Sequence, residues 1–189
     1  MTVFKPSYGM KRTVSKITTN CKSQEEKAIA ISQWMNKNIE YKSKRFLVYR
    51  KNARQIYNDR RGICGEQSVL YVTMARLAGI NANWVSMDQD EYGRKIRHAC
   101  VSINLDNQRI YVDPTNNEYD IHPKKTKQWD DYEVSNLFSE IRAVNRRRTV
   151  AKILIPVLLI GGIYMFNEKT NKISELKKRV SITLEHYLE

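Results

Sequence analysis

Cysteine is scarce in this sequence, and the few cysteines present lie far apart. The 189 residues include only three, Cys21, Cys64 and Cys100. Disulfide-stabilised small domains use an even number of cysteines at short spacings, so this odd, scattered set argues against a disulfide framework. We therefore expect reduced thiols in a reducing compartment, where an unpaired cysteine is free to react.

The sequence also has few acidic residues and no early apolar run. Residues 1–16 lack the apolar core of a secretory signal, which predicts a cytoplasmic location for the body of the protein. Asp and Glu total 20 against 33 Lys and Arg, a net charge of +13. A field of this sign favours nucleic acid, anionic lipid or an acidic protein surface as partner, without selecting among them.

One long apolar stretch occurs late, from Ile153 to Phe166. It is shorter than the roughly 20 residues that cross a bilayer, but residues 149–153 extend it if Lys152 reaches the interface. Pro156 suits a membrane helix better than a soluble one. We expect segment 149–166 to insert into a membrane, with a buried or self-associating helix as the alternative. The basic residues before it, including residues 146–148, would keep the preceding domain cytoplasmic.

Four segments are therefore predicted. Residues 1–22 form an N-terminal extension, residues 23–148 the folded domain, residues 149–166 the membrane segment and residues 167–189 a C-terminal amphipathic helix. The last has apolar residues at helical spacing, namely Ile173, Leu176, Val180, Leu184 and Leu188. This helix could lie on a membrane, pair with another helix or pack back on the domain.

The folded domain opens with a predicted helix and a basic stretch. Ser23 and Glu26 have the spacing of a capping box, and the apolar residues that follow recur at helical spacing: Ala28, Ile31, Met35 and Ile39. Between Lys42 and Arg61, basic residues are interleaved with aromatic ones, a pattern that can bind nucleic acid. A solvated loop and a short helix are the preferred interpretation of this stretch.

Cys64 lies at the start of the most apolar predicted helix. Gly62 and Gly65 flank it, and the helix runs to Ala78, where Gly79 is typical of a helix end. A helix that is apolar on most sides is a buried one. At its first turn, a thiol meets unpaired N–H groups and the positive end of the helix dipole, which favour the thiolate. Cys64 is therefore a candidate nucleophile.

Strand character follows the helices at residues 82–87, 96–105 and 109–112, which predicts an α+β fold with an antiparallel sheet. Asp106-Asn107 is a turn signal between the last two strands. If it forms a two-residue loop, Leu105 pairs with Gln108, which sets the register of the whole hairpin. A three-residue loop would move every side chain of one strand to the opposite face.

The two-residue loop brings His98 and Asp113 together. Cys100 then faces Asp113, and His98 is the diagonal neighbour on the same sheet face, roughly 7–8 Å away between backbones. His98 is the candidate base and Asp113 the acceptor that orients it. No cofactor or metal is expected. A zinc site of Cys64, His98, Cys100 and His122 is the weaker alternative, because it lacks the close ligand pairs of structural zinc sites.

From Ser23 to Thr115 the sequence resembles the transglutaminase-like superfamily. Residues 61–66 with residues 77–82 match the family's cysteine segment, His98-Ala99 its histidine segment and residues 111–115 its aspartate segment. The resemblance implies a papain-like core, in which the nucleophile begins a buried central helix packed on an antiparallel sheet. Cys100 departs from the pattern, because relatives often carry tryptophan there. The paired-cysteine zinc motif of peptide N-glycanases is also missing.

The resemblance implies that the Cys64 thiolate attacks an amide carbonyl of a protein or peptide and that His98 protonates the leaving amine. The Cys64 N–H would help to hold the oxyanion, with Tyr41 and Gln67 as guesses for a second donor. We expect a membrane-tethered cysteine peptidase or amidase. The alternatives are a cross-linking acyltransferase, an inert binding module of the same fold and a basic nucleic-acid-associated protein.

Overall fold

The computed structural model describes residues 2–42 and 51–144 of the chain. The chain divides into two compact units, Met1–Ala143 and Val144–Glu189. The predicted membrane segment at 149–166 and the predicted helix at 167–189 therefore lie outside the described residues. Within the described ranges, no helix is long and apolar enough to cross a membrane.

The helices of the first unit pack around one central helix. They are α1 (Tyr8–Thr18), α2 (Gln24–Asn38), α3 (Ala53–Asp59), α4 (Cys64–Leu77) and α5, which begins at residue 131. Helices α1, α2 and α3 all contact α4, in which every residue from Cys64 to Ala75 is buried. After α4, Gly79 adopts φ +83°, a left-handed conformation that favours glycine at a helix end. The predicted buried helix is confirmed.

The predicted start of α2 is confirmed, with one difference in its cap. Ser23 Oγ accepts a hydrogen bond from the N–H of Glu26 at 3.0 Å. The Glu26 carboxylate accepts from the N–H of Lys22 at 2.6 Å, one residue before the expected donor. The predicted apolar face of α2 is buried, as are Met10 and Val14 of α1 in the same core.

Five antiparallel strands form the main sheet, in the order β6-β5-β4-β3-β7. The strands are β3 (Asn81–Gln89), β4 (Lys95–Leu105), β5 (Gln108–Asp113), β6 (Glu118–Ile121) and β7 (Lys125–Trp129). The short strands β1 (Glu40–Tyr41) and β2 (Arg61–Gly62) pair in parallel before α4. The expected α+β fold is confirmed.

The two faces of the sheet have different neighbours. One face packs on α4 with the side chains of Ala82, Trp84, Ala99, Val101, Ile103 and Val112. The other carries a smaller cluster of Val85, Met87 and Cys100, against which Ile96, Tyr111 and Ile121 pack. Cys100 therefore lies on the opposite face of β4 from Ala99 and Val101.

The hairpin between β4 and β5 has the predicted two-residue loop. Asp106 and Asn107 adopt φ 47° and φ 65°, the pair of left-handed conformations that a tight hairpin turn requires. Leu105 pairs with Gln108, and the same register runs to Val101 opposite Val112. The predicted register is confirmed.

Candidate active site

The first turn of α4 is held in place by a buried carboxylate. Glu66 accepts hydrogen bonds from the N–H of Ile63 at 3.2 Å and from the N–H of Lys51 at 3.0 Å. At Gly62, a Cβ atom would lie 3.2 Å from the Glu66 Cβ and 3.3 Å from the Ile56 Cγ2, so a larger residue would force these neighbours to shift by a few tenths of an ångström. The residues that flank Cys64 therefore fix where the helix begins.

Two hydrogen bonds join the same end of α4 to the sheet. The indole N–H of Trp84 donates to the Gly65 carbonyl at 3.0 Å, and Ser68 Oγ donates to the Ala99 carbonyl at 3.1 Å. A hydrogen bond with the main chain of Ala99 is among the causes that lower the pKa of Cys64. A thiolate only accepts, so the donor is the Ala99 N–H. Cys64 and Ser68 of α4 thus interact with the N–H and the carbonyl of Ala99, the residue that follows His98.

His98 and Asp113 form a direct hydrogen bond. His98 Nε2 lies 2.7 Å from Asp113 Oδ2, and the two side chains are 19% and 2% exposed. The carboxylate also accepts from the Thr115 N–H at 2.9 Å and the Asn116 side-chain amide at 3.0 Å. A hydrogen bond with Cys64 is also among the causes that raise the pKa of the ring. Because Nε2 is hydrogen-bonded to Asp113, Nδ1 is the ring nitrogen that faces the Cys64 sulfur.

The surroundings of Cys64 and His98 favour the charged form of both side chains. Burial alone would raise the pKa of Cys64, but the hydrogen bond and charge of His98 and the N–H groups of Ala99 and Gly65 bring it below the usual thiol value. Burial opposes the charged form of His98, yet the contacts with Asp113 and Cys64 raise its pKa to about 10. Both shifts therefore act in the direction of a thiolate–imidazolium pair.

The other two cysteines have different environments. Cys100 is fully buried, and burial together with the negative charges of Asp113 and Cys64 raises its pKa to about 12. Its thiol therefore stays protonated in the small cluster on the far face of the sheet. Cys21 is half-buried, and its sulfur contacts the Ile17 carbonyl at 3.8 Å. The Cys64 thiol differs from both, because His98 lowers its pKa.

The two guesses for a second oxyanion donor have different positions. Tyr41 pairs with Gly62, two residues before Cys64, and is 53% exposed. Partial burial and the charge of Cys64 raise the pKa of Tyr41, which places its phenol in the field of the thiolate. Gln67 is buried, and its amide nitrogen donates to the Gly62 carbonyl at 3.0 Å. Tyr41 is therefore the better placed of the two.

The residues of the zinc alternative do not form a ligand set. His122 is exposed, and its ring lies 4.0 Å from the Asp120 carboxylate. Among residues 2–42 and 51–144, no group of three or more His, Cys, Asp or Glu side chains has the arrangement to hold a metal ion.

Part of the basic, aromatic stretch packs on the domain itself. Tyr57 stacks on Trp34 with ring centroids 5.7 Å apart, and the Arg60 guanidinium lies over both rings. The Tyr57 hydroxyl is within 2.8 Å of Thr13 Oγ1. This ring therefore already has stacking partners within the domain. Residues 43–50 of the stretch lie outside the described ranges.

Three supporting residues were not identified from the sequence. Ser68 and Trp84 anchor α4 to the sheet, and Asn116 holds the Asp113 carboxylate. Ser68 had a usable signal, because it is a polar residue one turn after Cys64 in a helix that the sequence predicts to be buried. Trp84 had none, since its contact with Gly65 depends on how the helix and sheet pack.

The fold and the geometry together define a class of domain. A cysteine begins a buried central helix, and a histidine and an aspartate come from neighbouring strands of an antiparallel sheet. The model of the transglutaminase-like superfamily matches residues 11–114, which is more than half of the chain. The protein belongs to the transglutaminase-like superfamily.

Solved structures with this fold are distant in sequence. A candidate cysteine protease from Cytophaga hutchinsonii aligns with a TM-score of 0.51 and 17% identity, over 68% of this chain and 52% of that one. Legionella pneumophila LapG aligns with a TM-score of 0.49 and 11% identity, over 74% and 83% of the two chains. This chain spans about half the length of the Cytophaga protein, and its likeness to that protein is one of fold. No curated protein matches the sequence.

Proposed function

We propose that this protein is a cysteine peptidase or amidase that cleaves amide bonds of proteins or peptides through a thioester at Cys64. The observation that carries the proposal is the connected set of Cys64, His98 and Asp113, with 2.7 Å between the last two and hydrogen-bonding between the first two. A lowered thiol pKa beside a histidine with a raised pKa is the arrangement that an activated cysteine needs.

In the first step, the Cys64 thiolate attacks the amide carbonyl carbon. A carbon–sulfur bond forms, and the carbonyl electron pair moves to oxygen. The Cys64 N–H lies in the first turn of α4, where no helical carbonyl satisfies it and the helix dipole favours negative charge. This N–H is the first oxyanion donor, and the Tyr41 phenol is the second.

In the second step, the carbon–nitrogen bond breaks and the His98 imidazolium donates its Nδ1 proton to the leaving amine. Asp113 holds the opposite nitrogen, so that Nδ1 keeps facing the reacting atoms. Neutral His98 then takes a proton from water as the water attacks the thioester. The carbon–sulfur bond breaks, which releases the acid and restores the thiolate–imidazolium pair.

The acyl acceptor and the membrane tether remain predictions. If a lysine amine replaced water in the second half of the reaction, the same site would cross-link proteins. Incubation with casein and dansylcadaverine separates the two reactions, because transamidation couples the fluorescent amine to casein and hydrolysis does not. We expect no coupled fluorescence above that of a Cys64→Ala control.

The thiol chemistry is tested with iodoacetamide at pH 6, with the alkylated cysteine located by mass spectrometry. We expect Cys64 to react at least about tenfold faster than Cys21, which serves as the internal control. His98→Ala and Asp113→Asn should each slow Cys64 and leave the rate of Cys21 unchanged. Equal rates at Cys64 and Cys21, or a Cys64 rate that does not respond to His98→Ala, would overturn the proposal.

A further inference from the structure

A cleft of about 380 Å³ opens where β3, β4 and β7 lie side by side, immediately before His98 on β4. Its walls are formed by six residues: Asp88, Gln89, Lys95, Ile96, Arg97 and Lys125. This volume is within the range of sites that bind small ligands or single side chains.

The cleft carries an excess of positive charge. Lys95, Arg97 and Lys125 are exposed, and Asp88 is the one acidic residue among the six. Nearby, Arg94 is paired with Asp90 at 2.6 Å. By contrast, none of the four charged cleft side chains forms an ion pair or side-chain hydrogen bond within residues 2–42 and 51–144. Within these ranges, their charge is therefore available to a ligand.

Strand pairing places these cations close together. Gln89 pairs with Lys95 on one side and with Lys125 on the other. Directly opposed residues have Cβ atoms roughly 4.5–5.5 Å apart, so the two lysines flank Gln89. Both ladders shift register between Met87 and Gln89. Such bulges are common beside active sites, where they redirect side chains.

The cations are also close to the reactive sulfur. The Ala99 N–H contacts Cys64, and Arg97 lies two residues earlier on the same strand. At about 3.3 Å per residue, the Arg97 backbone is roughly 7 Å from that contact and Lys95 roughly 13 Å. At low salt the screening length is about 30 Å, well beyond these backbone separations, so the cleft charges act on the sulfur there.

We propose that the substrate carries an acidic side chain, Asp or Glu, beside the amide that Cys64 attacks, and that this cleft binds its carboxylate. The inference rests on the proposed thiol function and adds its substrate class. Unpaired cations in a cleft beside a reactive group raise the local concentration of anionic ligands. A peptide with acidic residues next to the reacting amide fits this charge and this position.

Two alkylating reagents test the charge without knowledge of the substrate. Iodoacetate is an anion and iodoacetamide is neutral, and both react with the same thiolate. Both rates at Cys64 are proportional to its thiolate fraction, so this fraction cancels in their ratio. The ratio therefore measures the electrostatic potential at the sulfur. Each rate is measured at about 10 mM and about 1 M salt, with the alkylated residue located by mass spectrometry.

Charge variants should change this ratio with a defined sign. At low salt, Arg97→Gln should lower the iodoacetate-to-iodoacetamide ratio by about two- to threefold, and Lys95→Gln and Lys125→Gln by less. Asp88→Asn should raise the ratio. Arg109→Gln is the matched control, because Arg109 pairs with Asn104, five residues beyond Ala99 in the direction away from the cleft. Arg109→Gln should leave the ratio unchanged. At 1 M salt, the differences in this ratio between the wild type and the cleft variants should become smaller.

The outcomes separate the two proposals. If Cys64 reacts rapidly with iodoacetamide but Arg97→Gln and Asp88→Asn change the ratio no more than Arg109→Gln does, the acidic substrate class is wrong and the thiol function stands. If Cys64 reacts no faster than Cys21 with iodoacetamide, both are overturned.

Discussion

Ser68→Ala removes the hydroxyl that joins α4 to β4 beside the candidate site. Ser68 is fully buried, and its Oγ donates to the Ala99 carbonyl at 3.1 Å. Loss of one buried hydrogen bond, with the acceptor left less well paired, costs about 1–2 kcal/mol. In a chain of this size, that corresponds to a fall in Tm of roughly 2–8 °C.

Thr73→Val is the matched control in the same helix. Thr73 is also buried, but its hydroxyl donates to the Val69 carbonyl at 2.8 Å, one turn earlier in α4. That carbonyl is in the helix interior, where a backbone N–H already satisfies it. We therefore expect Thr73→Val to cost less than about 1 kcal/mol. The difference between the two variants isolates the contact between helix and sheet.

The assays are thermal unfolding and the pH dependence of Cys64 alkylation by iodoacetamide. In Ser68→Ala, the main chain at Ala99 is less firmly held against α4, so its N–H should stabilise the thiolate less. The midpoint of the alkylation profile should therefore move to higher pH in Ser68→Ala and stay in place in Thr73→Val. Equal losses of Tm in both variants, with both pH profiles unchanged, would refute this reasoning.

Two further predictions concern His98 and the hairpin. The pKa of His98 is raised to about 10 from 6.5, so its stabilising contribution is complete below pH 6.5 and is lost as the pH rises through about 10. The difference in unfolding free energy between the wild type and His98→Gln should therefore shrink over that range in urea titrations; a constant difference would contradict this. Asn107 has φ 65°, so Asn107→Val should lower the unfolding free energy by about 1–2 kcal/mol, whereas Asn107→Gly should not lower it. Equal urea midpoints for the two Asn107 variants would show that the left-handed conformation at this position does not limit the stability of the protein.

The parts of the site that depend on local chemistry could be predicted from the sequence. Asp106-Asn107 defines a two-residue turn, and the period of two along each strand then determines that His98 and Asp113 share a face. The glycines around Cys64 and the apolar residues after it predicted where the buried helix begins. Each of these inferences needed only residues that are close in the chain.

The rest depends on contacts between distant segments. Strand β7 pairs with β3 at the edge of the sheet, and nothing near Lys125 or Trp129 in the sequence specifies that partner. Helix α1 is part of the core, although residues 8–18 are largely polar and contribute few apolar side chains to it. The approach of Cys64 to Ala99 likewise follows from the packing of α4 on β4, which hairpin geometry alone does not determine.

The donor from β4 to the Cys64 sulfur is a peptide N–H, and this affects how the site tolerates mutation. Every residue type except proline supplies that group, so the identity of the side chain at position 99 does not decide whether the thiolate keeps this hydrogen bond. Ala99 is fully buried, so the size of its side chain limits which residues fit there. Replacement by a residue of similar volume should preserve the reactivity of the thiol, whereas proline at the same position would remove the donor directly.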